Sequence, residues 1–137
     1  MPKIILDTNV LYAGLYSSRG ASNRILRAIA QEEVRIVLST TLLFEYEDIL
    51  KRNPSMLGLS AEAIDGLLDD LCARSHHQRI HFLWRPQLPD PKDDHILELA
   101  IASGTSTIVT HNTRHFRKAE DFDIRVITPR QFLEEMA

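Results

Sequence analysis

The chain has a single cysteine, Cys72, so no disulfide can form within it, which suits a reducing compartment. No apolar run approaches the roughly 20 residues needed to span a bilayer. The run that opens the chain is broken by Asp7, too early for a secretory signal. A soluble, cytoplasmic protein with no membrane contact is the expectation. Positive charge is also scarce: 16 Lys and Arg stand against 19 Asp and Glu, for a net charge of -3. That balance gives no general basic field for coating nucleic acid. It does not exclude a nuclease whose excess acid is gathered around divalent cations, which reverse the local sign. Repeats, low-complexity tracts and linkers are absent as well. What is present, 137 residues with 44% hydrophobic and 26% charged, suits one domain over residues 1–137. Its core is large enough to fold without a metal or disulfide staple.

The chain is organised around Lys3 to Leu11, KIILDTNVL. The apolar run Ile4, Ile5, Leu6 reads as a strand buried on both faces, as in the middle of a parallel sheet. Ligands of such sheets bind beyond the carboxyl ends of the strands, so Asp7 stands where chemistry is done. The competing reading is that Asp7 or Thr8 simply caps the next helix. Further along, Ile25, Leu26, Ile29 and Ala30 form a helical stripe, and Val34 to Leu38 a second buried strand. Ser39, Thr40 and Thr41 offer capping oxygens to a helix from about Leu42 to Arg52.

That helix carries three acids that are not equivalent. Glu47 and Asp48 have Lys51 and Arg52 four residues on, the spacing of surface ion pairs. Glu45 has no such partner and borders the apolar stripe of Leu42, Leu43, Tyr46, Ile49 and Leu50. An unpaired carboxylate there is costly unless something positive compensates it, which makes Glu45 a candidate metal ligand. The plainer alternative is a Glu favoured near a helix N-terminus by the dipole.

Asn53, Pro54 and Ser55 end this helix, and Ser60 opens a core helix in which Cys72 is packed rather than reactive. His76, His77 and His81 suggest a metal, but no Cys or further His stands at finger-like spacing, so structural zinc is not expected. Residues 78 to 84 alternate like a short edge strand, with Trp84 anchored beside Phe82. In RPQLPDPKDD, Asp90 before Pro91 matches a helix N-cap, and Gly104 a C-terminal stop. One cap needs one carboxylate. Asp90, Asp93 and Asp94 exceed that need, and like charges so close repel unless a cation is shared. Thr107 to Thr110 is a third strand, followed by His111, Asn112 and the basic segment Arg114 to Lys118. Arg125 to Thr128 is a fourth, and Pro129 opens a terminal helix.

Strands at 3–6, 34–38, 107–110 and 125–128 separated by helices make an α/β domain with a mostly parallel sheet. Asp7, Glu45 and the acids at 90–94 could converge at one sheet edge. Such an all-oxygen set suits Mg²⁺ or Mn²⁺.

The motifs IILDTNVL, VLSTTLLFEYEDIL, DPKDDHILELAIASG, TIVTHNTRHF and VITPRQFL, in that order, resemble the PIN-domain family, in particular its branch of toxin components of toxin–antitoxin systems. The resemblance implies a three-layer α/β/α sandwich and a metal-dependent endoribonuclease leaving 5′-phosphate and 3′-hydroxyl ends. It implies Asp7, Glu45 and Asp94 as catalytic acids and metal ligands, with Asp94 preferred to Asp93 by its distance to Val109 and Thr110. Asp90 and Asp93 complete the acid-rich stretch. Thr8, Asn9, Thr110, Asn112 and His115 are expected to support the ligands. Arg19, Arg24, Arg114 and Arg117 are expected to touch RNA phosphates. An RNA substrate, a small antitoxin partner and homodimerisation follow from the same resemblance. In one respect the chain departs from it: where the family frequently has another acid near VTHNTRHF, here Asn112 and His115 stand, implying a weaker second metal site.

Two other classes compete. A haloacid-dehalogenase-like phosphatase also has an aspartate after its first strand, but wants a second Asp where this chain has Asn9. A catalytically weakened PIN-like module that binds RNA or protein would keep the scaffold and lose the cleavage.

Overall fold

The computed structural model describes residues 1–52, 54–81 and 87–137. Five strands form one sheet: β1 (Lys3–Leu6), β2 (Arg35–Leu38), β3 (His76–His77), β4 (Thr107–Val109) and β5 (Arg125–Ile127), in the order β3-β2-β1-β4-β5 and parallel throughout. Parallel neighbours need crossovers, and helices supply them. These are α1 (Thr8–Tyr16), α2 (Ala21–Ala30), α3 (Thr40–Arg52), α4 (Pro54–Leu57), α5 (Ala61–Arg74), α6 (Asp94–Ser103) and α7 (Pro129–Met136). They flank the sheet as an α/β/α sandwich, and β1 lies at its centre with Ile4, Ile5 and Leu6 fully buried.

Local chemistry sets most boundaries. The Ser39 hydroxyl accepts from Leu42 N (3.1 Å) and Ser60 from Ala63 N (3.1 Å), each satisfying an orphan amide of the first helical turn. Thr128 and Gln131 close a capping box over Pro129. Gly104 ends α6 at φ 67, the left-handed geometry that glycine takes without a Cβ penalty. At Gly14 a Cβ would stand 2.6 Å from Leu26 Cδ1, so this residue allows the close approach of α1 and α2.

One expectation needs correction, and two further short elements appear. The edge strand pairs one step earlier than the alternation at 78–84 indicated: His76 and His77 align with Val37 and Leu38, and residues 78–81 are not strand. The remainder of that stretch, with Phe82 and Trp84, lies outside the described residues. After α3 the chain makes one more short helix, α4, beyond Asn53, which is also outside them. The basic segment after β4 is wound into 3-10 turns over Thr113–Phe122 that are kinked at the buried Phe116. No helix among the described residues is long and apolar enough to cross a membrane.

Candidate active site

The carboxyl ends of β1 and β4 are adjacent because Leu6 pairs with Val109. Whatever follows those two strands must meet, and the Asp7 amide continues the contact by donating to Val109 O (3.0 Å). The Asp7 carboxylate is fixed at both oxygens. Oδ1 accepts from Thr8 N (2.8 Å) and Oδ2 from the Thr110 hydroxyl (2.7 Å). Asp7 is thus the N-cap of α1 and also a wall of a cleft, and the two readings of this residue are compatible.

Thr110 is a junction as well. Its hydroxyl accepts from Asn112 N (3.0 Å) and Asn9 Nδ2 (3.5 Å), while Asn9 Oδ1 accepts from His111 N (3.3 Å). The loops after β1 and β4 are thereby tied together beside Asp7. From the opposite side the buried Tyr46 hydroxyl donates to Leu6 O, holding α3 against the end of β1. Burial, followed by the charges of Asp7 and Glu45, pushes this phenol well above its ordinary pKa, so it stays a donor.

Glu45, one residue before Tyr46, therefore reaches the same place. Its Oε2 accepts from the Thr8 hydroxyl, and its Oε1 faces His95 Nε2 at 3.4 Å. Burial works to raise this carboxyl, but the hydrogen bonds from His95 and Thr8 outweigh it and hold the acid below its usual value. Asp7 moves the other way. Burial raises it, and although the Thr110 hydrogen bond opposes this, the nearby Glu45 charge adds to the rise.

Together Asp7, Thr8, Asn9, Tyr12, Glu45, Ile49, Asp90, Asp93, Asn112 and His115 line an open cleft of about 480 Å³. Asp93 enters from the 3-10 turn Pro91–Asp93, which Asp90 caps by accepting from Lys92 N (3.0 Å). Burial, then the charges of Asp7 and Asp90, lift the Asp93 carboxyl to about 6, His115 opposing in part. His115 Nδ1 lies 3.9 Å from Asp93 Oδ2. Asp94, expected to be the third ligand, does not line the cleft. It is 1% exposed, and its Oδ1 accepts from Gln87 N (3.2 Å) and Leu88 N (2.9 Å), clamping the preceding loop. Asp93, not Asp94, faces Asp7 and Glu45.

Of the four arginines expected to touch RNA, all are exposed and none lines the cleft. Arg114 lines an adjoining cavity, which shares Asn112 and His115 with the cleft. His95, Tyr12 and Ile49 were not singled out as site residues from the sequence. A histidine inside the acid-rich motif was visible, but not that it would meet Glu45.

The chemistry of the donors can be tested against a divalent cation. Among the described residues no Lys or Arg pairs with Asp7, Glu45, Asp90 or Asp93. Their mutual repulsion shows in the raised Asp93 carboxyl. All are hard oxygens, which fits Mg²⁺ or Mn²⁺. No group of three acid, His or Cys side chains is drawn in to metal-binding spacing among the described residues. Open spacing suits Mg²⁺, which keeps several waters and is held by one or two carboxylates together with substrate phosphates.

Comparison with known proteins agrees with this geometry. The PIN domain family model matches residues 3–114. The chain belongs to the PIN domain family. Its match runs from β1 into the loop after β4 and so includes every acid of the cleft. PIN domains are generally nucleases and typically use divalent metals. No curated protein matches this chain.

Proposed function

We propose that this PIN domain is a Mg²⁺- or Mn²⁺-dependent endoribonuclease, hydrolysing RNA phosphodiester bonds in the Asp7–Glu45–Asp93 cleft. One observation carries the reading: three carboxylates from three separate elements face one cleft with no Lys or Arg among the described residues to neutralise them. Glu47, Asp48, Asp65 and Asp70 on the outer helices are each paired with a Lys or Arg, whereas carboxylates crowded together without such a partner are costly unless a cation is shared.

Asp7, Glu45 and Asp93 would hold the cation, with Asp90 at the rim. When bound, such an ion supplies Lewis-acid polarisation of the phosphodiester and a more acidic water, so no protein nucleophile is needed. Thr8 and Thr110 keep Glu45 and Asp7 oriented through the bonds described above. Asn112 and His115, on the same wall, offer hydrogen bonds to a phosphate or ribose without adding negative charge. Arg114 is placed to extend that contact along the strand.

The toxin role, a small antitoxin partner, homodimerisation and a cytoplasmic location belong to the same proposal and are supported by the order of motifs along the chain. The test is cleavage of a labelled structured RNA by wild type and Asp7→Asn, with Mg²⁺, with Mn²⁺ and with EDTA. Metal-dependent cleavage by wild type alone is expected. RNA binding without cleavage under any metal would favour the weakened binding module, which Asn112 and His115, standing where the family often has an acid, already recommend as the rival.

A further inference from the structure

Asp93, Asp94 and His95 are consecutive, and the chain turns them in three directions. Asp93 faces the cleft, Asp94 holds the loop amides of Gln87 and Leu88, and His95 points to α3. His95 is only 5% exposed, yet its Nδ1 has no hydrogen-bond partner among the described residues. The polar capacity of a buried imidazole is therefore spent on one contact, Nε2 to Glu45 Oε1 at 3.4 Å. That contact also fixes the tautomer. Placing the hydrogen on Nδ1 would bury an N–H without an acceptor and set the Nε2 lone pair against a carboxylate oxygen. Nε2 carries the hydrogen and donates.

With Thr8 donating to Oε2 from α1 and His95 to Oε1 from α6, the Glu45 carboxylate is held at both oxygens by two elements other than its own. Asp7 is held in the same two-point manner. We infer that His95 is a positioning residue, whose Nε2–H locks the Glu45 carboxylate in the cleft opposite Asp7. This rests on the nuclease reading for its purpose, but the hydrogen bond itself does not. Without His95, Glu45 would keep a single tether and rotate about its side-chain bonds, so that a cation would have to order it at the moment of binding. Donors of this kind behind a metal ligand are worth about 10- to 100-fold in metal affinity.

The experiment compares full-length wild type, His95→Leu and His95→Gln, the last placing an amide N–H near the position of Nε2. Mn²⁺ affinity is read by electron paramagnetic resonance and folding by circular dichroism. Expected is a loss of about 10-fold or more in the folded His95→Leu protein, largely restored in His95→Gln. Long-range ¹H–¹⁵N spectra of the metal-free wild type should show the Nε2–H tautomer at His95, and Glu45→Gln should displace that resonance. Equal Mn²⁺ affinity in all three proteins, or a ring with its hydrogen on Nδ1 and indifferent to Glu45→Gln, overturns the inference. Should His95→Leu not fold, His95→Gln and the ring spectrum carry the decision. A wild type that neither binds Mn²⁺ nor cuts RNA overturns the nuclease reading instead, and the metal-free spectrum then judges His95 by itself.

Discussion

Two groups of acids in this chain have opposite surroundings. On the outer side of α3 and α5, Glu47 and Asp65 share Lys51, Asp48 meets Arg52, and Asp70 meets Arg74. At the carboxyl edge of the sheet, Asp7, Glu45 and Asp93 have no Lys or Arg among the described residues. Both groups are similar in residue type and number. Compensation is what separates them: the first group is neutralised by its own helix or a neighbouring one, the second has no such partner among the described residues. Fixed hydroxyl and amide donors hold Asp7 and Glu45 in place without cancelling their charge.

The sharpest way to break this contrast is at Asp7. Asp7→Asn keeps the shape and should cost more than the ~100-fold ceiling of substitutions behind a ligand, measured as metal-dependent RNA cleavage. An active Asp7→Asn protein would remove the cleft from the chemistry altogether.

Next in size is the pair of neighbours. Asp93→Asn should lower cleavage and Mn²⁺ affinity while leaving the fold intact, because it removes a repelling charge. Asp94→Ala should instead cost about 1–3 kcal/mol of stability in urea unfolding, because the buried Leu88 amide and the half-buried Gln87 amide lose their acceptor. The reverse pattern would restore Asp94 as the ligand.

A third expectation concerns pH. The Asp93 carboxyl is raised from 3.8 to about 6 in the folded chain, and Asp7 is raised as well. Between about 4 and 6 the folded state therefore binds more protons than the unfolded one, so stability of the metal-free protein falls as pH rises through that window. Glu45, lowered from 4.5, acts oppositely, but only below that value. Thermal melts in EDTA should give a higher Tm near pH 5 than at pH 7. Added Mg²⁺ should recover more stability at pH 7 than at pH 5. A Tm that climbs steadily from pH 5 to 7 in EDTA would contradict the assigned crowding of carboxylates.

The smallest effect belongs to the neutralised face. Asp48→Ala removes an exposed pair with Arg52 and should change stability by less than about 0.5 kcal/mol, with cleavage unaltered. A large loss there would mean that the outer face also serves a site.

Much of the scaffold was legible because its signals are local. Buried strands announce themselves as short apolar runs, and Ser39, Ser60, Asp90 and Thr128 cap where their side chains can reach amides two or three residues on. The edge strand was misplaced for the complementary reason. Alternation in residues 78–84 suits a strand, but pairing went to His76 and His77, where Val37 and Leu38 offered a backbone edge. Asp7 and Glu45 could be singled out, one by its place after a strand and the other by lacking an i+4 partner. The choice between Asp93 and Asp94 could not. It depends on where the 3-10 turn hands over to α6, and a single residue of difference sends one carboxylate into the cleft and the other onto a loop.

By itself the sequence determined the parallel sheet, the family and the presence of surplus acid at three points along the chain, since each is written in residues near one another. Tertiary structure decided which acid joins Asp7 and Glu45, that His95 stands behind Glu45, and that Arg19 and Arg24 stay outside the cleft. Those outcomes depend on how elements up to about a hundred residues apart pack against each other, as Thr110 does with Asp7, and a side chain's direction there is set by packing that no local pattern encodes.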